Sequence, residues 1–302
     1  MSITRNFFIA LSKNQPLNSA AKKWGLKLGA GKMVAGTDIE SMMQTVEQLN
    51  ADGISATIDS LGEFVHTKEE ATKAKEAILQ TLQAIQSHDV HGHMSVKLTQ
   101  IGLDVDPKFC LKNIQEIVAA AANYNTFVNL DMEDYDHLQQ TLDILDVLLK
   151  DYENVGTVIQ AYLYRSEKDL ENLQHVRLRL VKGAYKESVE VSYQEKKEID
   201  DNYLKLIKIH LQSPGYTSIA THDHHIIEQV KAFVQEKKIS RDCFEFQMLY
   251  GFRSEMQKDL AKEGFSFTTY VPFGKDWYAY YMRRLAERPQ NIILALQSMI
   301  SK

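Results

Sequence analysis

Proline, cysteine and long apolar runs are all scarce in this 302-residue sequence. Its five prolines (Pro16, Pro107, Pro214, Pro272 and Pro289) lie far apart, and no Gly/Pro/Ser-rich stretch joins any of them. Nothing therefore divides the chain, and residues 1–302 read as one domain. The two cysteines, Cys110 and Cys243, form no CxxC or zinc spacing and read as buried small hydrophobes in a reducing compartment. The apolar stretch at Phe7, Phe8, Ile9, Ala10 and Leu11 is too short for a secretory signal and is soon followed by Lys13. No run approaches the ~20 apolar residues that span a bilayer. Positive charge is not in excess either. With 35 Lys and Arg against 40 Asp and Glu, the formal charge is −5, so there is no basic footprint and no nucleic-acid partner is expected. A cytoplasmic protein follows, with peripheral contact with the inner face of the plasma membrane left open.

What the sequence does contain is a recurring unit. Short β-rich runs at 53–59, 94–99, 126–132, 157–162, 176–181, 217–221, 244–249 and 265–271 alternate with longer amphipathic segments. Helical patterns cover 39–49, 69–86, 107–123, 137–150, 186–211, 226–237 and 253–262, and the link from the fourth run to the fifth is short, around 168–173. Strands alternating with helices pair in parallel through right-handed crossovers. Eight such units in roughly 250 residues predict a (βα)8 barrel, with 1–34 as an N-terminal helical extension that carries no legible motif. A doubly wound dinucleotide fold would need a GxGxxG turn, which is missing. Gly29-Ala30-Gly31-Lys32 fails as a phosphate loop, since position 26 is Leu26 and Met33 stands where Ser or Thr is required.

Several strands alternate rather than running apolar throughout. Ile54, Ala56 and Ile58 oppose Ser55, Thr57 and Asp59, and Val96 and Leu98 oppose Ser95, Lys97 and Thr99. Val128, Leu130 and Met132 oppose Asn129, Asp131 and Glu133. Arg177 and Arg179 in the fifth run, and Glu245 and Gln247 in the seventh, follow suit. If the apolar faces pack on the helices, a polar interior results. Such an interior is costly unless its charges pair among themselves or meet a polar ligand.

Candidate chemistry gathers where strands end, the active face of such barrels. Asp131 and Glu133 close the third run and could do acid–base work, although helix caps also follow strand ends. His91 and His93 precede the second strand, at the inactive end, and read as a solvated loop. His222, Asp223, His224 and His225 follow the sixth, where a metal would need further ligands from other strands. Lys182, Gly183, Ala184 and Tyr185 follow the fifth and could approach an anion. After the eighth run Pro272 and Gly274 turn the chain, Asp276 can cap a helix, and Tyr280, Arg283, Arg284 and Glu287 share one of its faces up to Pro289. Two adjacent guanidinium groups suit a carboxylate ligand; a solvated face with an Arg283–Glu287 pair is the plain alternative.

The stretches RLVKGAY around Lys182, Ala220-Thr221-His222-Asp223, FQMLYG from Phe246 and YYMRRLAERPQN around the arginine pair resemble the proline dehydrogenase family, in its short bacterial form and in the matching domain of bifunctional proline utilisation proteins. The resemblance covers about residues 35–295. It implies a distorted (βα)8 barrel with non-covalent FAD, oxidation of L-proline to 1-pyrroline-5-carboxylate by hydride transfer to flavin N5, and reoxidation by membrane quinone. By matching position, Arg283 and Arg284 would clamp the proline carboxylate with Lys97 assisting. Asp131 would be the active-site acid that orients Tyr270, and Arg179 would lie beside flavin N5, where its charge favours the reduced anionic form. Met132, Gln160, Lys182, Gly183, Ala184, Thr221 and His222 would contact FAD, while Tyr185, Leu249, Tyr270 and Tyr280 would shape the proline pocket. Asp223 departs from the Asn frequent in relatives, and the loop between Tyr270 and the arginines is shorter than in the bifunctional proteins. No metal is expected. The rival readings are a metal-dependent barrel hydrolase using His222, His224, Asp131 and Asp59, and a non-enzymatic small-molecule binder with the same arginine clamp.

Overall fold

A computed structural model describes residues 33–62, 65–278, 280 and 282. Among them, eight parallel strands close into a barrel in chain order. These are β1 (Ser55–Ser60), β2 (Gly92–Val96), β3 (Val128–Leu130), β4 (Val155–Gln160), β5 (Leu178–Val181), β6 (Thr217–Ala220), β7 (Phe244–Leu249) and β8 (Phe267–Phe273). The first and last strands pair from Ser55 with Thr268 to Ser60 with Phe273, which seals the sheet and leaves no edge.

Helices α1 (Ile39–Ala51), α2 (Lys68–Ser87), α3 (Pro107–Asn123), α4 (Tyr135–Leu148), α5 (Ser166–Asn172), α6 (Lys196–His210), α7 (His224–Lys237) and α8 (Ser254–Lys262) surround the barrel. Local chemistry sets their starts. Asp38, Thr67, Asp106, Asp134 and Asp223 each accept a backbone N–H of the first turn, and Pro107 opens α3 where its missing N–H costs nothing. One continuous core of helix and strand apolar faces, from Met42 and Ile58 through Leu130, Leu180 and Ile219 to Val271, lies between the two layers. Because α1 precedes β1 and packs on both β1 and β8, it covers the barrel seam. The chain after β8 turns instead over the strand ends. There Trp277, Tyr278 and Tyr280 pack with Met33, Val34 and Leu61 as a second cluster.

Three expectations need correction. Of the two cysteines read as buried, Cys110 is buried, but Cys243 is exposed, in the short turn just before β7. The helix predicted over 186–211 begins only at Lys196. Residues 188–193 form a turn, with the Val191 and Ser192 N–H groups donating to Ser188 O, and it is held to the loop after β4 by Tyr164 N–H to Val191 O, Tyr193 N–H to Tyr162 O and an antiparallel bridge between Leu163 and Ser192. The predicted loop at His91 and His93 is wrong for His93, which lies within β2, is buried, and packs edge-on against Phe127. Burial, with Arg177 nearby, pulls the His93 pKa down to about 3, so the imidazole is neutral. The proposed extension 1–34 lies outside the described residues except for Met33 and Val34.

Candidate active site

The polar strand faces do line the barrel, in two levels. The lower is organised by Glu245, which accepts from Ser218 Oγ at 2.6 Å, Gln247 Nε2 at 2.7 Å, Thr268 Oγ1 at 2.5 Å and Arg177 at 2.9 Å. Arg177 is sandwiched between the Phe127 and Tyr216 rings. Its charge and these donors outweigh the burial that would raise the Glu245 pKa, and hold it at about 2. The charges of this level pair among themselves, with Gln247 Oε1 buried without a partner among the described residues, and the upper level is left for chemistry.

Asp131, one residue past β3, is the centre of the upper level. Its Oδ1 accepts from Ser95 Oγ at 2.5 Å and Arg179 Nη1 at 2.8 Å, and its Oδ2 from the Tyr270 hydroxyl at 2.8 Å and Lys97 Nζ at 3.3 Å. Lys97, at the end of β2, also reaches Asp59 Oδ2 at 3.0 Å and Tyr270 Oη at 3.3 Å. Arg179 spans the barrel to Thr57 Oγ1 at 2.9 Å and lies 5.3 Å from the Tyr270 ring centre. Burial opposes every charge here, and the pairing outweighs it. Lys97 and Arg179 keep the Asp131 carboxyl below the ordinary range, and Asp59 and Asp131 keep the Lys97 ammonium well above its own. Burial and the two carboxylates push the Tyr270 phenol up, so it stays protonated as a donor. Asp131 and Glu133 do not form the acid–base pair that their spacing allowed: Glu133 turns to Thr99, accepting from its N–H at 3.1 Å and its Oγ1 at 2.6 Å.

A second group of expected residues rings the same end of the barrel. Gln160 closes β4, and its Nε2 donates to Glu133 O at 3.0 Å while its Oε1 is buried without a partner among the described residues. Met132 is buried beside Val158 and Tyr162. Gly183 has φ +114°, and a Cβ there would lie 2.3 Å from the Tyr162 ring, so only glycine lets the loop after β5 close onto that ring. Lys182 is not a free cation: Asp200 of α6 lies at 2.5 Å and Asp223 at 2.9 Å. Thr221 Oγ1 accepts the Asp223 N–H, and His222 Nε2 accepts the Leu249 N–H at 3.1 Å, so a neutral His222 carries its proton on Nδ1. Ala184 is exposed, Tyr185 half-buried and Tyr280 buried against Trp277. Arg283 and Arg284 lie outside the described residues. Thr57, Ser95 and Asp200 were not singled out by the sequence. The first two were legible as polar members of alternating strands; Asp200, on a helix, gave no signal.

Among the described residues no set of three His, Cys, Asp or Glu side chains is arranged to hold a metal ion. Of the four hydrolase ligands, Asp59 and Asp131 are engaged by Lys97 and His222 by the Leu249 N–H. A cavity of about 530 Å³ lies between α7 and α8, away from the strand-end cluster, and is lined by side chains such as Ile227, Met256 and Leu260.

The family model described as proline dehydrogenase matches residues 42–292. The chain belongs to the proline dehydrogenase family. Membership makes it a proline dehydrogenase of proline catabolism. It is 47% identical over 302 residues to proline dehydrogenase 2 of Bacillus subtilis (strain 168), covering 99% of this chain and 100% of that protein. It is 41% identical over 286 residues to the proline dehydrogenase of Deinococcus radiodurans, covering 92% and 91%. Among solved structures, proline utilization A from Bdellovibrio bacteriovorus, inactivated by N-propargylglycine, superposes with a TM-score of 0.81 at 24% identity. That match covers 90% of this chain but only 34% of the larger one, and it establishes the shared barrel fold. In this family setting the cluster around Asp131 stands at the barrel end where strands deliver catalytic groups.

Proposed function

We propose that the chain oxidises L-proline to 1-pyrroline-5-carboxylate with non-covalently bound FAD and passes the electrons to membrane quinone. The observation that carries this is the Asp131 cluster: two cations, a protonated phenol and a carboxylate within hydrogen-bond reach at the strand ends. Residues suited to FAD adjoin it. Among the described residues Arg179 Nε and Gln160 Oε1 are buried polar atoms without partners, a donor and an acceptor for a heteroaromatic edge, and Gly183 lets the loop after β5 close onto the Tyr162 ring. Met132, Gln160, Arg179, Lys182, Gly183, Ala184, Thr221 and His222 would hold the cofactor. When bound, FAD supplies the two-electron acceptor for the C5–N bond of proline and relays those electrons to quinone.

The chain's own groups bind and orient. Proline presents one carboxylate and one ring nitrogen. Lys97, with Arg283 and Arg284, would take the carboxylate, and the planar guanidinium forks fix its plane. Asp131 holds Lys97 and the Tyr270 hydroxyl at fixed positions, so the pocket wall is set before substrate arrives. Tyr185, Leu249 and Tyr280 would shape the apolar ring pocket. C5 loses a hydride and nitrogen a proton, so proline that reacts as the free amine needs no strong base. Arg179 places a fixed positive charge where negative charge develops. Purified protein should be yellow, should release its flavin on denaturation, and should bleach on anaerobic addition of L-proline. A colourless protein that cannot be reconstituted with FAD would sink the proposal.

A further inference from the structure

We infer that Glu133 is a positioning residue for the proline site, acting through Lys97 by continuing the β2–β3 ladder with its side chain. The inference rests on the reading that Lys97 receives the substrate carboxylate.

Strand β2 pairs with β3 up to Val96 opposite Leu130, and the Asp131 N–H donates to Val96 O at 2.9 Å. The next rung comes from a side chain. Thr99 opens a 3-10 turn that has no side-chain cap from Leu98, so its N–H is one of the donors a helix start leaves unsatisfied. The Glu133 carboxylate takes that N–H with one oxygen and the Thr99 hydroxyl with the other. Glu133 is 2% exposed, and Gln160 Nε2 anchors its carbonyl from β4. Lys97 and Asp131 each lie two residues before a partner in this latch. Their 3.3 Å contact is thereby held between a backbone rung on one side and a carboxylate rung on the other. Losing the second rung frees the turn that aims Lys97 without touching Asp59, Asp131 or Tyr270.

Two conservative variants separate geometry from charge. Glu133→Gln keeps both contacts, since its amide oxygen accepts from Thr99 N–H and its amide nitrogen donates to the hydroxyl. Glu133→Asp keeps the charge and withdraws the carboxylate by one methylene. Under the inference, Gln leaves the KM for proline within about twofold of wild type. Asp raises it about tenfold, the scale of one charged hydrogen bond, with a smaller change in kcat. In a Lys97→Met background the Asp substitution adds less than twofold, because the residue through which it acts is gone. Equal effects of Gln and Asp, a wild-type KM in Glu133→Asp, or an undiminished penalty in the Lys97→Met background would each overturn the inference. A wild-type KM in Lys97→Met alone would instead overturn the assignment of Lys97 to proline, and this inference with it.

Discussion

Arg179 Nη1 and Asp131 Oδ1, 48 residues apart in sequence, meet at 2.8 Å inside the barrel, with β4 lying between the strands that carry them. Both side chains are largely removed from water. A buried pair of this kind roughly breaks even when intact, and leaves an uncompensated charge when one partner is neutralised.

Asp131→Asn neutralises the carboxylate without changing its shape, facing Lys97 and Arg179 with an amide. Lys97 retains Asp59 at 3.0 Å, so the fold should survive with a loss of about 2–4 kcal/mol. Activity should suffer far more, since Tyr270 and Lys97 lose the acceptor that fixes them. We expect kcat/KM to fall ~100-fold or more, on the scale of two charged hydrogen bonds, with the flavin spectrum retained. Steady-state kinetics beside a thermal melt distinguish the two losses. Full activity in the variant would leave Asp131 a structural residue only.

Arg283→Lys and Arg284→Lys test the carboxylate clamp. Lysine keeps the charge and loses the planar fork, which should weaken proline about ten- to a hundredfold. Neither arginine is assigned to the cofactor, so the FAD spectrum should be unchanged. The measurement is the proline dependence of flavin reduction. If both variants saturate at the wild-type concentration, the two arginines do not hold the proline carboxylate.

The barrel was legible because two periodicities coexist in the chain: 3.6 in the covering segments and 2 in runs such as Ser95, Lys97 and Thr99 against Val96 and Leu98. The same alternation announced the polar interior, and with it Asp131, Arg179 and Lys97 as neighbours. What it could not give was pairing. Lys97 divides itself between Asp59 and Asp131, which come from different strands, and only the pairing of β2 with both β1 and β3 fixes their spacing. His91-Gly92-His93 looks like a loop locally, yet β2 must start at Gly92 to pair with Ala56, and that puts His93 inside. Residues 186–195 have helical charge spacing, but Val191 and Tyr193 find backbone partners in the loop after β4, and long-range pairing overrides a local pattern. The Lys182 contacts to Asp200 and Asp223 join three separate elements and are invisible in any window.

His93 makes acid sensitivity specific to one residue. Its folded pKa of about 3 lies below the ordinary value of 6.5, so the unfolded chain takes up the proton first. The sign follows: as pH falls below about 6.5, stability is lost, at up to ~1.4 kcal/mol per pH unit from this one group. Between pH 6.5 and 5 the neighbouring Glu245, held at about 2, stays ionised in the folded protein and contributes little. His93→Gln, neutral at every pH, should flatten the dependence of urea-unfolding free energy on pH in that window, whatever its absolute stability. Parallel curves for the two proteins would show that His93 does not titrate differently on folding.

His137 predicts the opposite sign. Its Nδ1 lies 2.5 Å from Asp134 Oδ1 and its Nε2 2.7 Å from Asp104 Oδ1, so the imidazolium ties the start of α4 to the loop after β2. Partial burial works against the charge. The hydrogen bonds that the ring donates to the two carboxylates outweigh it and raise the pKa to about 9. A raised cationic pKa gives stability that is fully present below the unfolded value of 6.5 and disappears as pH climbs through 9. Solvent at the exposed Asp104 screens the pair, so about 1 kcal/mol is the expected size. His137→Gln should therefore be less stable than wild type at pH 6, and the gap should narrow steadily from pH 6.5 to about 9. The change runs against that of His93→Gln, and one set of unfolding curves at four or five pH values reads both. A gap for His137→Gln that is constant across this range would mean that the imidazole contributes by packing and neutral hydrogen bonding rather than by its charge.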